Sequence, residues 1–271
     1  MISRFILWEV VLRNLGFRSL VRRGRSARLS AEAVRFRELA IRMGGVMIKV
    51  GQFLSSRLDV LPPEVTDALS NLQDEVPPEL FEGIRKLAEA ELGGPLSQKY
   101  AWFDENPLAA ASLGQVHRAR LYPSLPGADG EPIGPGFDEV VVKIQRPHIA
   151  SIVEVDMSAL RRVGKWIMRY RPVREHANVP ALLEEFNEAV HEEIDYLNEA
   201  GNAETFFENF KDEPGLHIPR TVRSLTTLRV LTLENVYAIK ITDYEAITAA
   251  GIDRAQVARR LLDTYLKQIF T

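Results

Sequence analysis

The chain has 271 residues and no cysteine. Disulfides, thiolate catalysis and cysteine-ligated metal centres are therefore excluded for this chain, which fits a reducing compartment. Histidine is scarce. His117, His148, His176, His191 and His217 are scattered with no pair at metal-ligand spacing, so a structural or surface role is expected for each and no metal-binding residue is assigned. No apolar run approaches the ~18–20 residues that cross a bilayer. Charge of one sign is also missing: 34 Lys and Arg against 37 Asp and Glu leave a net −3, which gives no global reason to expect nucleic acid as a partner. What is present is ordinary for a globular protein, 46% hydrophobic and 26% charged residues, with length for one large domain or two smaller ones.

The first 29 residues depart from this average. They carry seven arginines against one glutamate, Glu9, between apolar clusters. No small-residue cleavage site follows, so a signal peptide is not expected. Two readings stay open: an amphipathic helix on an anionic membrane surface, or a basic helix packed on its own protein.

Beyond this arm the periodicity predicts a long helix from Ser30, a reasonable N-cap, to the stop at Pro62-Pro63. Phe36, Leu39, Met43, Val46, Val50, Phe53 and Leu54 recur on its face, and Gly44, Gly45 and Gly51 suggest close approach of another backbone. Shorter helices are expected around Glu64–Leu72 and Glu79–Leu92, the second ending at Gly93-Gly94-Pro95. Tyr100–Leu121 reads as strand, small-residue loop and strand, Pro123–Gly136 as a surface connection, and Glu139–Gln145 as the next strand. Helices follow from Ala150 to Tyr170 and from Asn178 to about Phe210. Arg220–Val222 and Thr227–Leu233 are candidate strands, and Asp243–Ala250 and Asp253–Phe270 close the chain as helices. Helices, a strand-rich middle enclosing two helices, then helices again argue for an α+β fold.

Two lysines stand out. Lys49 and Gln52 are the only polar side chains between Met43 and Leu54, and Lys143 ends the apolar run Val140-Val141-Val142. An ammonium in an apolar setting is costly unless a carboxylate answers it. Glu192, Glu193, Asp195 and Glu199, on what reads as one helix, are the candidate partners. Asp195 and Glu199 are four apart and would share a face, while Glu193 would project from nearly the opposite side, so each lysine could find a carboxylate. The alternative is a solvated acidic stripe. The loop around Ala109-Ala110-Ala111-Ser112 could bring backbone N–H groups close to an anion, although a tight hairpin explains it equally well.

Taken together, these segments resemble the ABC1/UbiB family, also called AarF or ADCK, of atypical kinase-like proteins. Lys49-Val-Gly-Gln52 resembles the family's KxGQ motif and Ala109–Ser112 its alanine-rich nucleotide loop. Val141-Val-Lys143-Ile-Gln-Arg-Pro147 resembles the strand bearing the ATP lysine. Glu193-Ile-Asp195, followed by Glu199-Ala200 and Asn202, resembles its ExD segment and αC glutamate. The resemblance implies a kinase-like N-lobe at 99–236, a helical extension at 30–98 after the arm at 1–29, and the start of a C-lobe at 237–271. It implies that Lys143, paired with Glu199, contacts the phosphates of ATP. It further implies that Ala109, Ala110, Ala111, Ser112, Leu113, Gly114 and Val116 line the nucleotide, and that the hinge at Leu233-Glu234-Asn235-Val236, with Glu234 and Val236 as contacts, meets the adenine through its backbone. The extension would pack over the site with Lys49 and Gln52 near Glu193 and Asp195, obstructing a protein substrate and favouring ATPase or small-molecule kinase chemistry.

The family supports isoprenoid quinone synthesis, such as that of ubiquinone. A cytoplasmic location, peripheral contact with a membrane and quinone-pathway partners are therefore expectations. The sequence departs from the family pattern at its end: Gln268-Ile-Phe-Thr271 is reached before the segment resembling HGFFHADPHPGN and the later metal-binding Asp. The Mg²⁺ ligands are expected there, and negligible turnover by these 271 residues is the corresponding expectation. The wording of Thr226–Val236 also departs from the usual hinge strand. The rival reading is a non-catalytic module that binds a membrane surface or a partner and keeps a relic of the site.

Overall fold

The computed structural model describes residues 25–59, 61–70, 72, 76–123, 137–175 and 177–270. Most of the basic arm, and the connection expected over Pro123–Gly136 from residue 124 onward, lie outside them. The chain divides into two compact units, residues 1–234 and 235–271, with the division falling after Glu234.

The first unit opens with α1 (Arg25–Met43) and α2 (Gly45–Ser55). The single long helix expected from Ser30 is thus two helices, and it begins upstream of that residue. Gly44 and Gly45 have φ of 69° and 49°, a region glycine enters without penalty, so they break the helix. A Cβ on either would meet nothing within 4 Å, so backbone approach is not their reason. Gly51 is different. A Cβ there would lie 2.1 Å from Cδ1 of Leu72, so it makes room for a side chain. With α3 (Pro63–Ser70), these helices enclose a cluster built on Ala33, Ala40, Ile48, Leu69 and Leu72.

The next segment builds a sheet. After α4 (Phe81–Leu92), stopped by left-handed Gly93, and the short α5 (Leu96–Lys99) come β1 (Trp102–Ala110), β2 (Gly114–Arg120) and β3 (Glu139–Gln145). β4 (Val230–Glu234) completes an antiparallel sheet of order β1-β2-β3-β4. Pro107 sits on edge strand β1, where the pairing with β2 is irregular on both sides of it. The second candidate strand, near Arg220, is only a bridge between Thr221 and Leu233. Side chains alternate across the sheet with a period of two. Val140, Val142 and Ile144 of β3 face the main core with Ile84 and Leu87 of α4. Lys143 and Gln145 therefore face the other side, in register with Val116 and Leu231 and with Gly114.

Helices α6 (Ile149–Ile167), α7 (Arg171–Arg174), α8 (Val179–Glu193) and α9 (Tyr196–Phe210) lie between β3 and β4 in sequence. Val153 and Met157 of α6, Phe186 and Val190 of α8, and Val46 and Val50 of α2 share one cluster, which seats the N-terminal extension on this helical layer. On α9, Tyr196 and Ala200 pack against Leu231 of β4. The second unit contains α10 (Tyr244–Ala249), N-capped by Asp243, and α11 (Arg254–Phe270).

Candidate nucleotide site

The helix expected from Asn178 to Phe210 is broken at Ile194-Asp195, so the acidic residues belong to two helices. Ile194 is the C-cap of α8, while Asp195 is extended and accepts hydrogen bonds from the amides of Leu197 and Asn198 at 3.1 and 3.0 Å. Asp195 is therefore the N-cap of α9. Its shared face with Glu199 does not exist. The break is fastened from the sheet: the side-chain amide of Gln145 donates to the carbonyls of Ile194 and, at 3.2 Å, Leu228, and the amide of Tyr196 donates to Leu228 O at 3.2 Å.

The break separates two carboxylates that meet two lysines. Glu193, the last residue of α8, lies 2.6 Å from Nζ of Lys49 on α2. Glu199, in the first turn of α9, accepts from Nζ of Lys143 with both oxygens, at 3.0 and 2.7 Å. A carboxylate in a first turn is also favoured by the helix dipole. The Lys143 ammonium lies 4.7 Å from the centre of the Tyr196 ring, a cation–π distance. Neither pair is deeply buried. The side chains of Lys143 and Glu199 are 29% and 39% exposed, so water, and any ligand of similar access, reaches them. The carboxylate partner that the apolar setting of Lys143 calls for is thus supplied in a half-open setting.

The alanine-rich segment joins β1 to β2. Ala109 and Ala110 end β1, the Ala111 amide donates to Gly114 O at 2.8 Å, and Gly114 starts β2. Ser112, Leu113 and Gly114 are buried. Leu113 packs in the cluster shared by α2, α6 and α8, so the loop tip is anchored to the extension. Gly114 is required by its neighbours: a Cβ there would lie 2.5 Å from the Tyr196 hydroxyl and 2.8 Å from Ile144 O. Val116 pairs with both Ala109 and Lys143, which sets the loop beside the lysine across three strands. Gln52 donates to Leu72 O at 3.3 Å, within the extension.

At the expected hinge, Glu234 ends β4. Its carboxylate accepts from the Arg220 amide at 3.2 Å and lies 3.2 Å from Nε2 of His217. Val236 belongs to the second compact unit. Among the described residues no group of three or more His, Asp or Glu is gathered in a way that could hold a metal ion.

Residues 71–271 match the family model described as the ABC1 atypical kinase-like domain. The chain belongs to this family. It is 38% identical over 237 residues to the protein named Activity of bc1 complex kinase 8, chloroplastic, of Arabidopsis thaliana, covering 87% of this chain and 29% of that protein. It is 32% identical over 248 residues to the probable protein kinase UbiB of Aeromonas hydrophila, covering 92% of this chain and 42% of the relative. The chain thus spans less than half the length of these relatives. A solved structure titled the complex structure of Rv3197-erythromycin, from Mycobacterium tuberculosis, is similar with a TM-score of 0.49 and 23% identity, covering 85% of this chain and 53% of that one. The α+β architecture of this ABC1 family member is that of a kinase-like N-lobe.

Three residues of this ABC1 domain escaped the sequence argument. Tyr196 backs Lys143, and burial, together with the nearby Glu199 and Glu193 charges, pushes its phenol well above the usual tyrosine range. Gln145 holds the helix break, and Arg146 reaches the alanine loop. Gln145 and Arg146 could have been suspected, since both are polar and directly follow an apolar strand. Nothing in the pattern says which partners they would meet.

Proposed function

We propose that this chain is the nucleotide-engaging portion of an ABC1 atypical kinase, with Lys143, oriented by Glu199, contacting the phosphates of ATP. The two-oxygen contact between Glu199 and Lys143 beside the alanine loop is the observation that carries this reading. Glu199 fixes the ammonium at the face of the sheet, and the half-open setting leaves that ammonium able to share its charge with an incoming phosphate. Ala109, Ala110, Ala111, Ser112, Leu113, Gly114 and Val116 would line the nucleotide, and the backbone of Glu234, at the end of β4, would receive the adenine. Mg²⁺ would neutralise phosphate charge when bound with the nucleotide. The described residues supply no cluster of three or more His, Asp or Glu to hold it.

ATP hydrolysis or phosphoryl transfer in support of isoprenoid quinone synthesis is proposed for a protein of the relatives' full length. The seating of α2 and Lys49 against α8 favours a small acceptor, or water, over a protein substrate. Quinone-pathway proteins and an anionic membrane surface are the partners this reading suggests, the latter through the basic arm. Among the described residues no helix is long and apolar enough to cross a membrane.

Isothermal titration with MgATP and MgADP tests the proposal. Heat for the wild type and its loss for Lys143→Ala are expected; no heat for the wild type, or equal heat for both, would overturn it. Sedimentation with anionic vesicles, comparing the full chain with one starting at Ser30, tests the membrane contact; it is expected to depend on the arm.

A further inference from the structure

We infer that Arg146 is a positioning residue that clamps the part of the helical extension just before α4 to the alanine-rich loop, so that the loop's conformation depends on where the extension sits. Arg146 stands three residues after Lys143, just beyond β3, with a side chain only 14% exposed. Its guanidinium makes three separate contacts. Nε donates to Ala111 O at 3.0 Å, in the alanine loop. Nη2 donates to Pro77 O at 2.8 Å, and Nη1 meets the Glu79 carboxylate at 2.5 Å, both in the stretch of the extension just before α4. Its own amide donates to Leu113 O at 3.0 Å. One residue therefore holds the loop at two carbonyls and the stretch of the extension before α4 at two further oxygens.

Neighbouring contacts run in parallel. The Val76 amide donates to Ala110 O at 3.4 Å, a direct backbone link between the same two segments. The Glu79 amide donates to Oε1 of Gln115 on β2 at 3.0 Å, and the Gln115 amide nitrogen lies 2.8 Å from Nε2 of His117. Nδ1 of His117 lies 2.8 Å from Asp104 O, a carbonyl that can only accept, so Nδ1 carries the proton and Nε2 accepts from Gln115. The segment is tied to the sheet on one side and to the loop on the other.

The chemistry is specific to arginine. A planar guanidinium offers five donors in a fixed fork, whereas a lysine is a point charge that would satisfy Glu79 and leave Ala111 O and Pro77 O without donors. A movement of the extension that draws Pro77 or Glu79 away would therefore release Ala111.

The inference builds on the nucleotide reading, and the experiment separates the two. Hydrogen exchange by mass spectrometry on the folded chain, with and without MgATP, is measured for wild type, Arg146→Lys, Arg146→Gln and Glu79→Gln. Local opening that costs two hydrogen bonds to a charged donor should speed exchange across 110–116 by about tenfold or more in Arg146→Gln. Arg146→Lys should resemble Arg146→Gln, while Glu79→Gln, which keeps both carbonyl contacts, should change less. Exchange in α11 should stay at the wild-type rate, distinguishing local release from general loosening. Unchanged exchange in 110–116 for Arg146→Gln, or full recovery with lysine, would overturn the clamp whether or not nucleotide binds. If the wild type binds MgATP, both arginine variants should weaken it about tenfold while Lys143→Ala abolishes it, and unchanged affinity in both would remove the link between the clamp and the site.

Discussion

Two lysine–glutamate pairs flank one break in a helix, and they differ in what they join. Lys143 comes from the middle of the sheet and meets Glu199 with both carboxylate oxygens, backed by the Tyr196 ring. Lys49 comes from the extension and meets Glu193 six residues earlier, on the far side of the Asp195 cap. The first pair is internal to the N-lobe. The second is one of several ties that seat the extension, alongside the pairing of Arg57 with Glu185 at 2.5 Å and the Phe53–Phe186 ring contact at 5.4 Å. The same residue types thus tie a strand to a helix in one place and an added layer in the other, and the difference lies in the redundancy of their surroundings.

The glycine beside each pair gives the largest contrast. At Gly114 a methyl group would strike the Tyr196 hydroxyl and the Ile144 carbonyl, and backbone cannot step aside. Gly114→Ala should cost about 3 kcal/mol, an overpacking penalty, and should disturb the Lys143 side first. At Gly51 the obstacle is Cδ1 of Leu72, the free end of a flexible side chain, and alanine recovers about 1 kcal/mol of helix propensity. Gly51→Ala should therefore change stability by less than about 1 kcal/mol. Urea denaturation of both variants measures this, and equal losses would show that the two sites are packed alike.

The break itself comes next. Asp195→Ala removes an N-cap and should cost about 1 kcal/mol, whereas Asp195→Asn should cost a few tenths. With the cap gone Glu199 is less firmly aimed, so nucleotide affinity should fall in the alanine variant and hold in the asparagine variant. A variant that loses stability without any loss of affinity would mean that the cap does not position Glu199.

How much of this was readable beforehand follows from the kind of signal each feature leaves. That Lys143 needs a carboxylate was legible because a charged residue closing a valine run must be answered, but its pairing with Glu199 in particular came from the family resemblance; the α+β order was legible from the change of period at Tyr100. The broken helix was not. Asp195 reads as one more member of an acidic stripe, and only the extended backbone at that residue makes it a cap. Gly44-Gly45 could have been read as a helix stop, but their positive φ leaves the same mark in a sequence as close packing does. The Arg146 clamp was out of reach because Pro77, Glu79 and Ala111 are brought to it by the tertiary fold alone.

Removing the lysines directly should do little to global stability. Partly exposed ion pairs contribute about 1 kcal/mol or less, so Lys143→Ala should unfold close to the wild-type midpoint, and so should Lys49→Ala, which takes away a lysine only 14% exposed but leaves a Glu193 carboxylate that is 40% exposed. The ligand should tell them apart. Lys143→Ala is expected to lose MgATP binding, and Lys49→Ala is expected to keep it, because Arg57 and the aromatic pair still hold α2. Loss of binding in Lys49→Ala at unchanged stability would make the extension lysine part of the nucleotide site and erase the distinction between the pairs.

Acid provides the gentlest perturbation, and it acts on the extension's side. Burial holds the His117 imidazole below the usual histidine range, against the smaller opposing pull of Asp104 through its carbonyl and its charge. Above about pH 6.5 both folded and unfolded chains carry a neutral imidazole, and His117 adds no pH dependence. As pH falls below that, the unfolded chain takes a proton that the folded one resists, so stability declines. Once protonated, Nε2 becomes a donor facing the Gln115 amide nitrogen. Turning that amide to offer its oxygen would withdraw the acceptor from Glu79 N. Wild type should therefore lose more stability between pH 7 and 6 than His117→Gln, with faster exchange near Glu79 and none of it near Glu199. An identical pH slope in the two proteins would show that the folded chain protonates His117 as readily as the unfolded one, so that burial does not hold the imidazole neutral.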